Sequence, residues 1–420
     1  MKKTLRNPTI SSNWLEFVIV MIFSLMFALI MIPKEYLAEK FLYIGTGDTA
    51  VYAAGALGFL NDSWHYPPFN SNLLGPDQLS ITLFDAIPLA ALITKLINNA
   101  FDLHILNYVG PWTLFVYFMQ PLSAWIAAKA WKIKNYYILI SIVLSAAFFE
   151  SFQFRILHNA LQSHFLIILA IGLYPRVINS INGKRNSMLY IGYSLLFIST
   201  LVHTYLAVMV FFILIISLFE LTIRNNQEKF VKWFDFCFHF SMFVLIFLIS
   251  YTIQGVFGFT ASKGGWQVYS MNPLSPFIPR GDRFMEGQYE GLNYLGIFGL
   301  FLLIIILFLP LLDSFKYLQR KQYLIGEEFG IRRTTKYFFY LNWFLSLGTI
   351  IYIGSDVLVD YQWFQYIPLI ETFTSSFRAP GRLFWINSYF ILFLGGKMLD
   401  VYIANKIDNS GGKKLKLQKK

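Results

Sequence analysis

The chain has 420 residues and a formal net charge of +11, yet only 14% of its residues are charged and 56% are hydrophobic. Soluble domains carry roughly 25% charged residues, so this composition excludes an ordinary soluble protein and points to an all-α, polytopic membrane helix bundle. A single cysteine, Cys237, excludes an internal disulfide and any cysteine-built metal site. In chain order, apolar runs long enough for a ~30 Å hydrocarbon core predict ten spans, at 14–33, 108–128, 136–150, 156–175, 188–202, 205–222, 234–254, 291–312, 338–355 and 384–403. The runs at 136–150 and 188–202 are the shortest. The start of the chain is basic, but its apolar stretch lacks a small-residue cleavage pattern and reads as a retained first helix.

The excess of basic residues is explained by topology and not by nucleic acid. With Lys2, Lys3 and Arg6 on the cytoplasmic side, the clusters Lys129/Lys132/Lys134, Arg176/Lys184/Arg185, Arg224/Lys229/Lys232 and Lys316 to Lys336 all fall inside. So does the tail from Lys406 to Lys420. That alternation requires Ile81 to Ile97 not to cross, and its Asp85, Pro88 and Lys95 suit an interfacial or re-entrant helix. The expected organisation is one membrane domain, 1–405, with exoplasmic loops 34–107, 255–290 and 356–383. A basic cytoplasmic tail, 406–420, follows. The expected location is the bacterial inner (plasma) membrane with both termini cytoplasmic.

This topology gathers the chemistry on the outer face. There lie Asp48, Asp62, Asp77, Asp85, Asp102, Glu150, Asp282, Glu286, Glu290, Asp356, Asp360 and Glu371. His65, His104, His158 and His203 join them, with Arg155, Arg280, Arg283, Arg378 and Arg382. The inner loops are short and basic, and no Gly-Lys-Ser/Thr phosphate loop occurs. An outer-face reaction has no easy access to cytosolic nucleotides, so a donor would arrive on a polyprenyl-phosphate carrier.

The long polar loop that opens with Gly45-Thr-Gly-Asp-Thr-Ala-Val-Tyr52, soon after the first span, resembles the first exoplasmic loop of the GT-C superfamily of membrane glycosyltransferases. Other phrases resemble more closely an uncharacterised bacterial family of GT-C-like integral membrane proteins. They are Asp85-Ala-Ile-Pro-Leu-Ala, His158-Asn-Ala-Leu-Gln-Ser-His164, Leu201-Val-His-Thr-Tyr205, Gly287-Gln-Tyr-Glu-Gly-Leu-Asn-Tyr-Leu-Gly296 and Ser376-Phe-Arg-Ala-Pro-Gly-Arg-Leu-Phe-Trp385. The resemblance implies transfer of a sugar from a polyprenyl-phosphate-linked donor to a lipid, glycan or protein acceptor of the cell envelope. It implies an inverting single displacement and maps the superfamily's first-loop acid, the general base, onto Asp48. A carboxylate suits that task because it can take the proton of an otherwise poor hydroxyl nucleophile. The alternative for Asp48 is the N-cap of a helix starting near Thr49.

Around that base, Asp85 is expected to bind a sugar hydroxyl, a metal ion (Mg or Mn) or the basic residues of the phosphate site, or else to pair with a nearby Lys or Arg. His65 and Tyr66 combine imidazole and aromatic surface, as sugar sites do, though such loops also serve packing. His158 and Gln162 are spaced to share a helical face at the outer end of the fourth span, and His203 occupies a similar position. His164 is expected to hydrogen-bond across the bundle. Tyr289, Glu290 and Asn293 precede a span as sugar or acceptor contacts, with helix capping as the other reading of Asn293. Arg280, Arg378 and Arg382 are candidates for the carrier phosphate, whose charge suits guanidinium groups; Arg378 and Arg382 could instead pair with Glu371, Asp360 or lipid headgroups. Two other classes remain open. One is a transporter or flippase of a lipid-linked sugar, although no internal repeat is seen. The other is a non-catalytic envelope assembly protein.

Overall fold

The computed structural model describes residues 11–38, 47–75, 77–180, 185–224, 229–257, 266, 269–279, 288–317, 333–348, 350–353, 356–360, 367 and 377–417. The chain is mostly helical. Its helices are α1 (Ser11–Met31), α2 (Asp48–Asn61), α3 (Pro88–Phe101), α4 (Val109–Ala130), α5 (Tyr136–Ala147), α6 (Glu150–Gln153) and α7 (Phe165–Ile178). They continue with α8 (Arg185–Thr200), α9 (Thr204–Arg224), α10 (Lys229–Gln254), α11 (Gly296–Tyr317), α12 (Arg333–Ser346) and α13 (Phe384–Leu417). Two small antiparallel hairpins depart from the all-α expectation: β1 (Asn70–Ser71) with β2 (Leu79–Ser80), and β3 (Ile350–Ile353) with β4 (Asp356–Asp360).

This is a membrane protein. Among the described residues, four helical stretches are long and apolar enough to cross a bilayer: Trp14–Met31, Tyr136–Leu157, Thr204–Arg224 and Val231–Gln254. Phe165–Ile178, Ser187–Thr200 and Gly296–Phe308 are apolar but shorter. α1 exposes Leu15, Ile19, Ile22, Met26 and Ile30, and α10 exposes Phe234, Phe238, Leu245 and Leu248, as helices solvated by hydrocarbon do. α4, α7, α9 and α13 form the interior. Gly172 of α7 lies so close to α4 that an added Cβ would meet the Ala127 Cα at 3.0 Å. Small residues at such a crossing let helices approach where no hydrophobic effect draws them together.

Two expected spans are corrected. The run 156–175 is not one helix: a 3-10 turn, Phe154–Leu157, gives way to turns up to His164, and α7 begins only at Phe165. Tyr36 Oη donates to the Ile156 carbonyl at 2.7 Å, and Asn159 Nδ2 donates to Thr113 Oγ1 at 2.8 Å. The run 338–355 stops being helical at Ser346. Gly348 then takes φ +70°, a conformation that favours glycine, and β3 follows.

The segment expected not to cross resolves into a 3-10 turn at Ile81–Phe84 and then α3, a 14-residue helix with Pro88 in its first turn. At about 1.5 Å per residue, α3 spans only ~21 Å. Lys95 fastens it to α2. Its Nζ donates to the Phe59 carbonyl at 2.8 Å and to the Ser63 carbonyl at 3.2 Å, and lies 4.1 Å from the Phe59 ring centroid. The Leu89 N–H donates to the Leu201 carbonyl at 2.8 Å, which brings the start of α3 beside the turn carrying His203.

Candidate functional site

The site begins where α2 begins. Gly47, at φ +60°, occupies the cap position, so Asp48 is the first helical residue and not the N-cap that one reading allowed. A carboxylate in the first turn is favoured by the helix dipole. Asp48 and Tyr52, four residues apart, present one face of α2 to a single imidazole. Asp48 Oδ2 lies 2.9 Å from His158 Nε2, and Tyr52 Oη lies 2.9 Å from His158 Nδ1. Burial, followed by the charges of Asp85 and Asp48, pushes the Tyr52 hydroxyl well above its ordinary range, so it keeps its proton. Tyr52 therefore donates to Nδ1, and His158 presents Nε2–H to Asp48. Burial first, then the Arg155 guanidinium, pushes His158 below its ordinary value although Asp48 opposes this. The imidazole is neutral at pH 7, and Asp48, 59% exposed, opens to the surface.

A second carboxylate–imidazole couple stands nearby. His203 Nε2 is 3.2 Å from Asp85 Oδ1, and the Tyr205 backbone N–H donates to His203 Nδ1 at 3.0 Å. That backbone donor fixes the tautomer, with the ring proton directed at Asp85. Asp85 has φ 51° and Ile87 φ 52°. Positive φ is a genuine outlier for a β-branched residue such as Ile87. Tyr108 Oη donates to the intervening Ala86 carbonyl and holds the stretch in place. The Asp85 side chain touches solvent in a recess among protein atoms. Loss of hydration there raises its pKa, but His203 and then Arg382 outweigh that and hold it below the usual carboxylate range.

Behind both couples lies a buried triad. Glu290 Oε2 accepts from Arg155 Nη2 and Arg382 Nε, each at 2.7 Å. Burial would raise the Glu290 pKa, yet Arg382 and Arg155 together hold it far below the carboxylate range. Arg382 also stacks over the Tyr205 ring, 4.7 Å from its centroid. A cavity of about 300 Å³ opens between these groups, lined by Gly47, Asp48, Thr49, Phe154, Arg155, Leu157, His158 and Glu290.

Asp48, Asp85, His158, His203, Glu290 and Arg382 are thus brought together from distant segments. Other candidates are not. His65 is held by Asp62 at 3.0 Å and by Ser63 at 3.2 Å within its own loop, and Tyr66 is 86% exposed beside it. Gln162 follows His158 by one turn, its N–H donating to the His158 carbonyl at 2.9 Å, but it is fully buried and does not line the cavity as His158 does. Asn293 is buried and gives its amide to the Gly291 and Gly381 carbonyls, each at 3.0 Å, which makes it a structural clamp. The Arg378 guanidinium lies 5.9 Å from the Tyr269 ring centroid, whereas Arg382 is bound to Glu290. Arg280 lies outside the described residues, as does the Tyr289 side chain.

Tyr52, Tyr205 and the anchoring role of Arg155 were not apparent from residue types alone. The i,i+4 spacing of Asp48 and Tyr52 was the available signal. His164 does bond across the bundle as expected, to Tyr389 Oη at 2.9 Å. Among the described residues, no group of three or more His, Cys, Asp or Glu is placed to hold a metal ion. Each histidine of the two couples already directs its Nε2–H at its own carboxylate and so offers no lone pair there to a metal ion.

Residues 19–405 match the family described as "Domain of unknown function (DUF6311)". The chain belongs to this family. No curated protein and no solved structure matches it. Within this DUF6311 protein the match takes in every residue of both couples and of the triad, so the site lies inside the family's own domain.

Proposed function

We propose that this DUF6311 protein is a GT-C-type glycosyltransferase. It moves a sugar from a polyprenyl-phosphate-linked donor to a lipid, glycan or protein acceptor of the cell envelope, at the outer face of the bacterial inner membrane. The proposal includes cytoplasmic termini, with the basic clusters of the loops on the same inner side. The observation that carries it is the Asp48–His158–Tyr52 relay opening onto a cavity that also contains Arg155 and Glu290.

The chemistry follows from the geometry. Neutral His158 donates to one oxygen of Asp48 and leaves the other for an acceptor hydroxyl. As that hydroxyl attacks the anomeric carbon, its proton passes to Asp48. The bond from carbon to phosphate oxygen breaks, and its electron pair leaves with the lipid phosphate. Arg155 on the cavity wall and Arg382 behind it supply positive charge toward that leaving group. Asp85, oriented by His203, accepts hydroxyls of the donor sugar. Attack opposite the leaving group inverts the anomeric centre.

The test is a deletion strain complemented with wild-type or Asp48→Asn protein and profiled for lipid-linked saccharides and envelope glycans. Wild type should restore a missing glycan, and Asp48→Asn should accumulate the lipid-linked donor. Identical profiles in deletion and wild-type strains would reject a transferase.

A further inference from the structure

The long apolar helix α10 ends in a glutamine, and a buried amide is costly unless its hydrogen-bonding groups are used. Gln254 is the last residue of α10 and is fully buried. Its side chain reaches three partners. Thr82 Oγ1 donates to Gln254 Oε1 at 2.8 Å, while Gln254 Nε2 donates to the Thr200 carbonyl at 3.2 Å and to Ser250 Oγ at 2.8 Å. The Thr200 carbonyl can only accept, so the amide nitrogen must face it and the oxygen must face Thr82. Both amide protons and the amide oxygen are engaged.

Two of those partners stand in the same relation to the second couple. Thr82 precedes Asp85 by three residues, and Thr200 precedes His203 by three. Each belongs to the turn that aims its member of the pair. The Asp85 N–H donates to the Thr82 carbonyl at 3.4 Å, at the end of the 3-10 turn Ile81–Phe84. Thr200 ends α8 next to Ser199, whose carbonyl accepts from the His203 N–H at 3.0 Å. Gln254 therefore joins two turns that lie 172 and 54 positions away from it. The bond to Ser250 stays within α10, but the other two run from one turn of the couple to the other. The Leu89 N–H, bonded to the Leu201 carbonyl at 2.8 Å, ties the same two segments at a second point. Such support is needed, because the Asp85 side chain is 51% exposed where it meets His203. So accessible a contact competes with water and adds little stability of its own.

We propose that Gln254 is a positioning residue for the Asp85–His203 couple. Its amide sets the separation of the two turns, and the Tyr205 backbone N–H directs the imidazole once that separation is fixed. Its effect on turnover rests on the transferase reading, in which Asp85 holds the donor sugar, whereas its effect on the couple's geometry does not.

The test follows the His203 ring by magnetic resonance in the full chain, purified in detergent with isotope-labelled histidine. The chain has six histidines, and His203→Gln identifies the signal. Thr82→Val keeps the shape of the side chain but removes the hydroxyl, and Thr82→Ser restores it. Gln254→Met keeps the volume and removes the amide. Thr82→Val and Gln254→Met should each displace the His203 Nε2–H resonance and leave that of His158 unmoved. Thr82→Ser should keep the wild-type position. In transfer assays Thr82→Val should raise KM for the donor about 2–12-fold, as expected for one hydrogen bond, with kcat within about twofold. A side chain that only stabilises the fold would lower the unfolding temperature and leave the His203 signal in place. That result in both Thr82→Val and Gln254→Met would overturn the proposal, as would Thr82→Ser behaving like Thr82→Val. Should Gln254→Met fail to fold, the Thr82 pair decides. A displaced His203 signal in a protein that transfers no sugar would remove the transferase reading and leave the positioning role standing.

Discussion

The two carboxylate–imidazole couples look alike but are built differently. Asp48 stands at the first turn of a regular helix, and His158 is gripped by two side chains of that helix, Asp48 and Tyr52. Asp85 sits in a left-handed stretch, and His203 is fixed by a backbone N–H in its own turn. In the first couple, loss of one hydroxyl frees the imidazole. In the second, the orientation is independent of any side chain beyond the pair. Under the proposed mechanism the adjustable arrangement would serve the group that exchanges protons, and the fixed one the group that holds a hydroxyl.

The largest effect should separate the two acids. Asp48→Asn is expected to lower the transfer rate by roughly 10²–10⁴-fold, the usual worth of a general base. Asp85→Asn should act mainly on KM for the donor and leave kcat within about tenfold, because it removes a binding interaction and not the base. Steady-state kinetics with both variants would break the comparison if the two losses were alike.

Stability should respond most to the triad behind them. Glu290→Gln leaves two buried guanidiniums without their carboxylate, and breaking such a group costs about 3–5 kcal/mol. Thermal unfolding in detergent should fall accordingly, whereas Asp62 and His65, paired in their own loop, should tolerate His65→Ala with activity unchanged.

The acidic limb of the rate profile tests the first couple. His158 has a pKa lowered below the ordinary 6.5, so it stays neutral until the pH falls below that value. Once protonated, it holds Asp48 as an ion pair and weakens it as a base. Activity should therefore be retained at pH 7 and lost as the pH drops below about 6.5. His158→Gln should remove that limb, and an unchanged limb would place the titration elsewhere. The smallest effect is that of Tyr52→Phe. Loss of one hydrogen bond, about 0.5–1.5 kcal/mol, should slow transfer by roughly 2–12-fold and broaden the pH profile as the His158 tautomer becomes free.

Sequence by itself determined the membrane class and most helix positions, since hydropathy follows from the bilayer as solvent. It set Ile81 to Ile97 apart from the longer apolar runs because Asp85, Pro88 and Lys95 are unfavourable toward lipid, and the helix there is 14 residues long. Only the tertiary structure decided which polar residues face a cavity and which serve packing. Arg155 in an apolar segment, Asn293 before a span and His65 in a loop present the same residue types as a ligand site. His65 is held within its own loop by Asp62, but the Arg155–Glu290 contact joins residues 135 positions apart, and the bond from Asn293 to the Gly381 carbonyl residues 88 apart. Nothing local encodes such pairings. They arise because a low-dielectric interior leaves each buried polar group few partners, and the packing of the helices selects among them.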